Sequence, residues 1–114
     1  MEHSKIYLEN QTVTVLLENN LTVEVVSQIR DELKKYFSSD VKKMIIDMEG
    51  CKMIDSHGIA LLMAAANSMQ SIDGKLVLRN QSAPVAEIFN TLQLSPKFFV
   101  ENTPKGADHN SELS

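Results

Sequence analysis

Ile54-Asp55-Ser56-His57-Gly58-Ile59-Ala60-Leu61-Leu62 is the stretch whose reading decides the fold. Upstream, Lys43 to Met48 is a β-rich run. Its uninterrupted apolar centre, Met44 to Ile46, suits an interior strand covered on both faces. Glu49-Gly50 breaks that strand, and Met53-Ile54 resumes it briefly. Beyond Gly58 the apolar residues Ile59, Leu62, Met63, Ala66 and Met69 recur at helical spacing, so a helix is expected to run to about Ser71, with Asp73-Gly74 ending it. A strand that runs into a helix through a turn carrying Asp, Ser and Gly is half of a βα unit.

The same alternation extends in both directions. Ile6 to Leu8 and Thr12 to Leu17 read as two strands of a hairpin turning through Glu9 to Gln11. Glu18-Asn19-Asn20 is a turn. Thr22 is placed to cap a helix over about residues 22–37, with Val23, Val26, Ile29, Leu33 and Phe37 as its apolar stripe. Downstream, Lys75 to Leu78 is another buried-type strand. Ser82 is placed to cap a third helix with Pro84 in its first turn and Val85, Ile88, Phe89 and Leu92 facing inward. Phe98 to Val100 makes a last short strand, and Thr103 to Ser114 has almost no apolar content. The expected fold class is therefore α/β, a mixed sheet with helices in the order β-β-α-β-α-β-α-β. Residues 1–102 form one domain and 103–114 a disordered tail.

Composition narrows the function. A chain of 114 residues with 43% apolar side chains makes one domain. The single cysteine, Cys51, excludes a disulfide framework and reads as a small packing residue in a reducing compartment. No basic start precedes an apolar run at the N-terminus, and the apolar stretch from Ile59 to Ala66 is far too short to span a bilayer; a cytoplasmic location is expected. The net charge is −4, the lysines are scattered beyond the Lys34-Lys35 and Lys42-Lys43 doublets, and aromatics are few. Neither nucleic acid nor an anionic membrane is the expected partner.

The residues able to carry chemistry concentrate at Asp55 to Gly58. Read locally, Asp55 and Ser56 are ordinary helix-capping residues. A helix start also displays free N–H groups and a positive dipole end, which accommodate a phosphate. Gly58 is expected to allow close approach of another chain. A Ser-His-Asp hydrolase is not expected from the contiguous Asp55, Ser56 and His57. Adjacent residues at a helix start project about 100° apart, whereas a triad needs its base between nucleophile and carboxylate, and no Gly-x-Ser-x-Gly elbow exists. His3, His57 and His109 lie far apart and Cys51 has no partner at ligand spacing, so no metal is expected; no glycine-rich phosphate loop points to a nucleotide cofactor. Met44, Met48, Met53, Met63 and Met69 are mostly core filler, with one or two available to an adaptable surface near Ser56. Ala60, Ala64 and Ala65 fall off the apolar stripe, leaving a smooth helix face suited either to helix formation alone or to docking.

The order of elements, the strand ending Ile46-Asp47-Met48, the segment Met53-Ile54-Asp55-Ser56-His57-Gly58-Ile59 and the downstream Lys75-Leu76-Val77-Leu78-Arg79-Asn80-Gln81-Ser82 resemble the STAS domains of bacterial anti-sigma factor antagonists over roughly residues 5 to 101. The resemblance implies a non-catalytic regulator in which Ser56 is the serine phosphorylated by a partner kinase. It also implies that Asp55 helps to engage the partner and that Gly58 is the glycine of the same turn. The partner surface it implies comprises Asp55, Ser56, His57, Gly58, Ile59, Ala60 and Met63. The implied partners are a GHKL-type serine kinase that doubles as an anti-sigma factor and a PP2C-type phosphatase. Outputs other than sigma factors, such as exopolysaccharide and biofilm control, and an unphosphorylated scaffold are the alternatives. The chain departs from the family at His57, where Ser or Thr is common, and at Glu18-Asn19-Asn20-Leu21-Thr22, where Gly-Glu-Leu-Asp is common. The first departure bears on partner identity and the second on the loop at the same end of the domain.

Overall fold

A computed structural model describes residues 4–38 and 40–92, and the backbone of 99–101. Its elements are β1 (Ser4–Glu9), β2 (Thr12–Leu17), α1 (Val23–Lys34), β3 (Lys43–Asp47), α2 (Ser56–Ser71), β4 (Lys75–Arg79), α3 (Ala83–Thr91) and β5 (Phe99–Glu101). The expected order is the observed one. The disordered tail expected over 103–114 and the start of the last strand at Phe98 lie outside the described residues.

Each boundary has a local cause. Asn10 takes φ 58°, so the hairpin turns in two residues, Asn10-Gln11, between Glu9 and Thr12 paired across it; asparagine tolerates this left-handed conformation. Ser82 Oγ accepts from the Val85 amide at 3.4 Å and caps α3, with Pro84 in the first turn as expected. At the end of α2 the left-handed residue is Asp73, φ 60°, and Gly74 has a separate duty. A Cβ there would stand 2.7 Å from Met69 Cε and 3.0 Å from the Lys42 carbonyl.

The strands lie in sequence order, β1-β2-β3-β4-β5. β1 pairs antiparallel with β2, and β2 through β5 are parallel. With sequential parallel strands, right-handed crossovers carry α1, α2 and α3 across the same face of the sheet. The core fills the space between: Val13, Val15, Met44, Ile46, Leu76 and Leu78 from the strands meet Ile29 and Leu33 of α1, Leu61, Leu62 and Met69 of α2, and Val85 and Phe89 of α3. Ile45 and Val77, which alternation directs to the opposite face, are buried as well, as expected for interior strands.

Helical periodicity was less exact at the edges of the stripes. Val23 is 51% exposed, and Val25 takes the inward position beside Val26. Ala65 is in the core rather than on a docking face, and Leu92 at the end of α3 is exposed. Met44, Met48 and Met69 are core filler, while Met53 is 52% exposed.

Candidate functional site

Because β2 and β3 are neighbouring parallel strands, the loops leaving their C-terminal ends run side by side into α1 and α2. Several interactions join them. Leu21 and Ile54 form an isolated parallel bridge, with the Leu21 amide donating to the Met53 carbonyl at 3.0 Å and the Asp55 amide to the Leu21 carbonyl at 3.3 Å. Asn20 Oδ1 accepts from the amides of Lys52 (3.0 Å) and Met53 (3.1 Å). Glycine permits the approach at two points. A Cβ on Gly50 would lie 2.4 Å from the Leu17 carbonyl oxygen, and one on Gly58 would lie 2.3 Å from that of Leu21. The close approach expected at Gly58 is therefore filled by the chain's own β2–α1 loop, not by another molecule.

Asp55 ties this junction together. Its Oδ1 accepts from the Gly58 amide at 3.0 Å, capping α2, and its Oδ2 accepts from the Val23 amide at 2.9 Å, the first residue of α1. One carboxylate thus caps two helices and sits at two positive dipole ends. The Gly58 amide chiefly, with the Val23 amide, holds the Asp55 carboxyl below its ordinary range. Thr22 occupies the N-cap position of α1 but its side chain does not cap the helix; its hydroxyl donates to Glu24 Oε1 at 2.7 Å instead. That bond is the main cause lowering the Glu24 carboxyl, and Glu24 is close enough to Asp55 for their charges to repel.

Ser56 opens the first turn of α2 beside this anchor. It is exposed, and its hydroxyl makes no hydrogen bond among the described residues. His57 is also exposed, with Nδ1 3.9 Å from Asp55 Oδ1. Both oxygens of Asp55 are engaged by backbone amides, and among the described residues no hydrogen bond joins Ser56 to His57, so these three residues do not assemble a triad. Ala60 is exposed one turn further along α2. Of the other residues expected to meet a partner, Gly58 is buried, and Ile59 and Met63 are half-buried with their side chains packed against the core. The open surface is therefore Asp55, Ser56, His57 and Ala60, flanked by the exposed Val23 and Met53. Asp47, at the end of β3, is engaged with the Glu49 amide and with Asn80 Nδ2. Glu24, next to the Val23 amide that Asp55 binds, is a carboxylate whose charge bears on this corner. Among the described residues no three His, Cys, Asp or Glu side chains gather as a metal site, and no helix is long and apolar enough to cross a membrane. Cys51 is fully buried, its Sγ–H donating to the Met53 carbonyl at 3.3 Å, and burial pushes the thiol up. It packs within the core cluster.

The STAS domain family matches residues 5–107. This chain belongs to the STAS family. It is 28% identical, over 87 residues covering 75% of this chain and 74% of the relative, to the anti-sigma F factor antagonist of Lysinibacillus sphaericus. Among solved structures, the anti-sigma factor antagonist SpoIIAA in its unphosphorylated form superposes with a TM-score of 0.78 at 21% identity, covering 96% of this chain and 95% of that one. The Bacillus cell fate determinant SpoIIAA in its phosphorylated form gives 0.73 at 20% identity over 96% and 98%. A putative anti-sigma factor antagonist from Thermotoga maritima gives 0.81 at 12% identity over 95% and 92%. At these identities the structures establish a shared STAS fold.

Asn20 and Val23 are the site residues that sequence reasoning did not find, while Met53 is one of the methionines expected to be available to a surface near Ser56. Val23 looked like core because Val-Glu-Val-Val offers two helical phases. Asn20 joins residues 32 and 33 positions away, a pairing that appears only once β2 and β3 are known to be neighbours.

Proposed function

We propose that this STAS domain is a phosphorylation-switched binding module of the anti-sigma factor antagonist type. In this reading Ser56 is phosphorylated by a partner serine kinase of GHKL type that also acts as the anti-sigma factor, and a PP2C-type phosphatase restores it. The unphosphorylated form binds the kinase and frees its other client. The observation that carries the reading is the exposed Ser56 hydroxyl on the first turn of α2, without a hydrogen bond among the described residues and beside the frame that Asp55 fixes. Phosphorylation adds about −1.5 to −2 charge. Asp55 and Glu24 already make this corner acidic, and Asp55 already occupies the amides that a phosphate would otherwise use. The added group therefore stays on the surface, where it repels an acidic partner and resists desolvation against Val23, Met53 and Ala60. A loss of about a hundredfold in affinity is the expected scale. The module needs no catalysis of its own, and the site offers no activated nucleophile.

Incubating the chain with its cognate kinase and ATP, followed by mass spectrometry, is expected to place phosphate on Ser56. In titration calorimetry with that kinase, Ser56→Ala should bind as the unmodified protein does and Ser56→Asp should bind about a hundredfold more weakly. Phosphate on another residue, or unchanged affinity for Ser56→Asp, would overturn the proposal.

A further inference from the structure

Following α2 away from Ser56, the exposed face continues through Ala60 and Ala64 into a groove between α2 and α1. The groove holds a cavity of about 120 Å³, with Leu33, Leu61 and Ala65 as its buried floor and Ala64, Arg30 and Lys34 on its open margin. Two features distinguish it from an ordinary seam between helices. Alanine at 64, where a larger side chain would close the gap, leaves apolar floor within reach of solvent. Its charge is also one-sided. Arg30 and Lys34, one turn apart on α1, make no ion pair among the described residues; the lysine ion pairs found are Lys5–Glu18 and Lys35–Glu32. α2 across the groove, Ser56 to Ser71, contains no Asp or Glu at all. In a chain of net charge −4, two cations thus face an uncharged wall over an apolar floor.

We propose that this groove seats an apolar side chain from an acidic helix of the partner protein that Ser56 controls. The inference rests on the Ser56 reading for the partner's identity, but on charge complementarity and cavity shape for the site. A cavity of this volume suits one leucine-sized side chain, and Arg30 and Lys34 suit carboxylates one turn to either side of it. The groove continues directly from Ser56 along α2, so one partner helix can cover both. Phosphate at one end and the cationic rim at the other then act in opposite senses on the same acidic surface: the rim steers it in, and the phosphate drives it off.

Photo-cross-linking of the full chain in its own host cells tests this. A benzophenone amino acid replaces Asn67, exposed beside the groove on α2; as a control it replaces Gln28, exposed on α1. Light is expected to give an adduct from position 67 and not from 28, mapping by mass spectrometry to an acidic helical segment. Arg30→Glu with Lys34→Glu should lower the adduct yield about tenfold, and Ala64→Trp, which fills the groove, should do the same. Thermal melts of these variants should match the parent, since all three side chains are exposed. No adduct, an adduct to a second copy of this chain or to a basic segment, or a yield indifferent to the charge reversal would each overturn the groove. If the adduct depends on Arg30 and Lys34 but survives Ser56→Asp, the groove stands and the Ser56 switch fails.

Discussion

Asp55 is the residue on which the local structure turns, and its job is architectural before it is recognition. A carboxylate that accepts amides from two different helices fixes their N-termini relative to each other, so Ser56 is presented on a rigid corner rather than on a loop. Both bonds favour the charged form, so the folded pKa lies below the unfolded one, whose ordinary value is 3.8. The stabilisation is then fully present above the unfolded pKa and lost as pH falls through the folded value. Asp55→Asn keeps one acceptor oxygen and loses the other. Its melting temperature should fall a few degrees below the parent's at pH 7, and that gap should narrow below about pH 4. A gap that stays constant down to pH 2 in pH-scanned melts would show that the charge on Asp55 is not what the helix starts require.

At the scale of elements, the order β-β-α-β-α-β-α-β was legible because strands and helices here obey their own periods. Thr12 to Leu17 alternates, Lys75 to Arg79 is continuously apolar at its centre, and Ser82 with Pro84 marks a helix start by residue type alone. What could not be read was how one element leans on another. Gly58 was visibly special, yet the sequence could not say that the Leu21 carbonyl occupies its missing Cβ, because 37 positions separate them and only the parallel pairing of β2 with β3 brings them together. Ala65 lies inward and Val23 outward, the reverse of what helical spacing alone predicts, because a stripe's edge depends on which neighbour packs there. The Gly58 contact is also measurable. Gly58→Ala sets a methyl against backbone rather than against a yielding side chain, so the β2–α1 loop or the start of α2 must shift. Chemical denaturation should show a loss of about 1–3 kcal/mol with the denaturant slope unchanged. Stability equal to the parent's would mean that the two loops are not held as tightly as their geometry requires.

For the whole molecule, the question is whether a phosphate at Ser56 acts by changing the fold or by changing a surface. The core lies between the sheet and one layer of three helices, and its buried members adjoin the site through Leu21 and Ile54, which bridge each other beside Asp55 and Gly58. Ser56 is exposed and among the described residues contributes no side-chain bond, so modifying it removes no contact seen to hold that core. The new charge meets the positive end of a 16-residue helix, which favours it, and the carboxylates of Asp55 and Glu24, which oppose it. These effects largely offset one another, and both decay within the first turn. Stability should therefore change little while the surface potential changes greatly. Phosphorylated and unmodified chains should melt within about 2 °C of each other, given that about 4–8 °C corresponds to 1 kcal/mol in a domain of this size. Amide chemical-shift changes should be confined to residues 20–24 and 53–60, the two loops that Asp55 joins. Shifts spreading into β4 or α3, or slow hydrogen exchange lost from β3, would instead make the switch a conformational one. Binding would then be lost because the frame moved, and the repulsion argued from Asp55 and Glu24 would not be its cause.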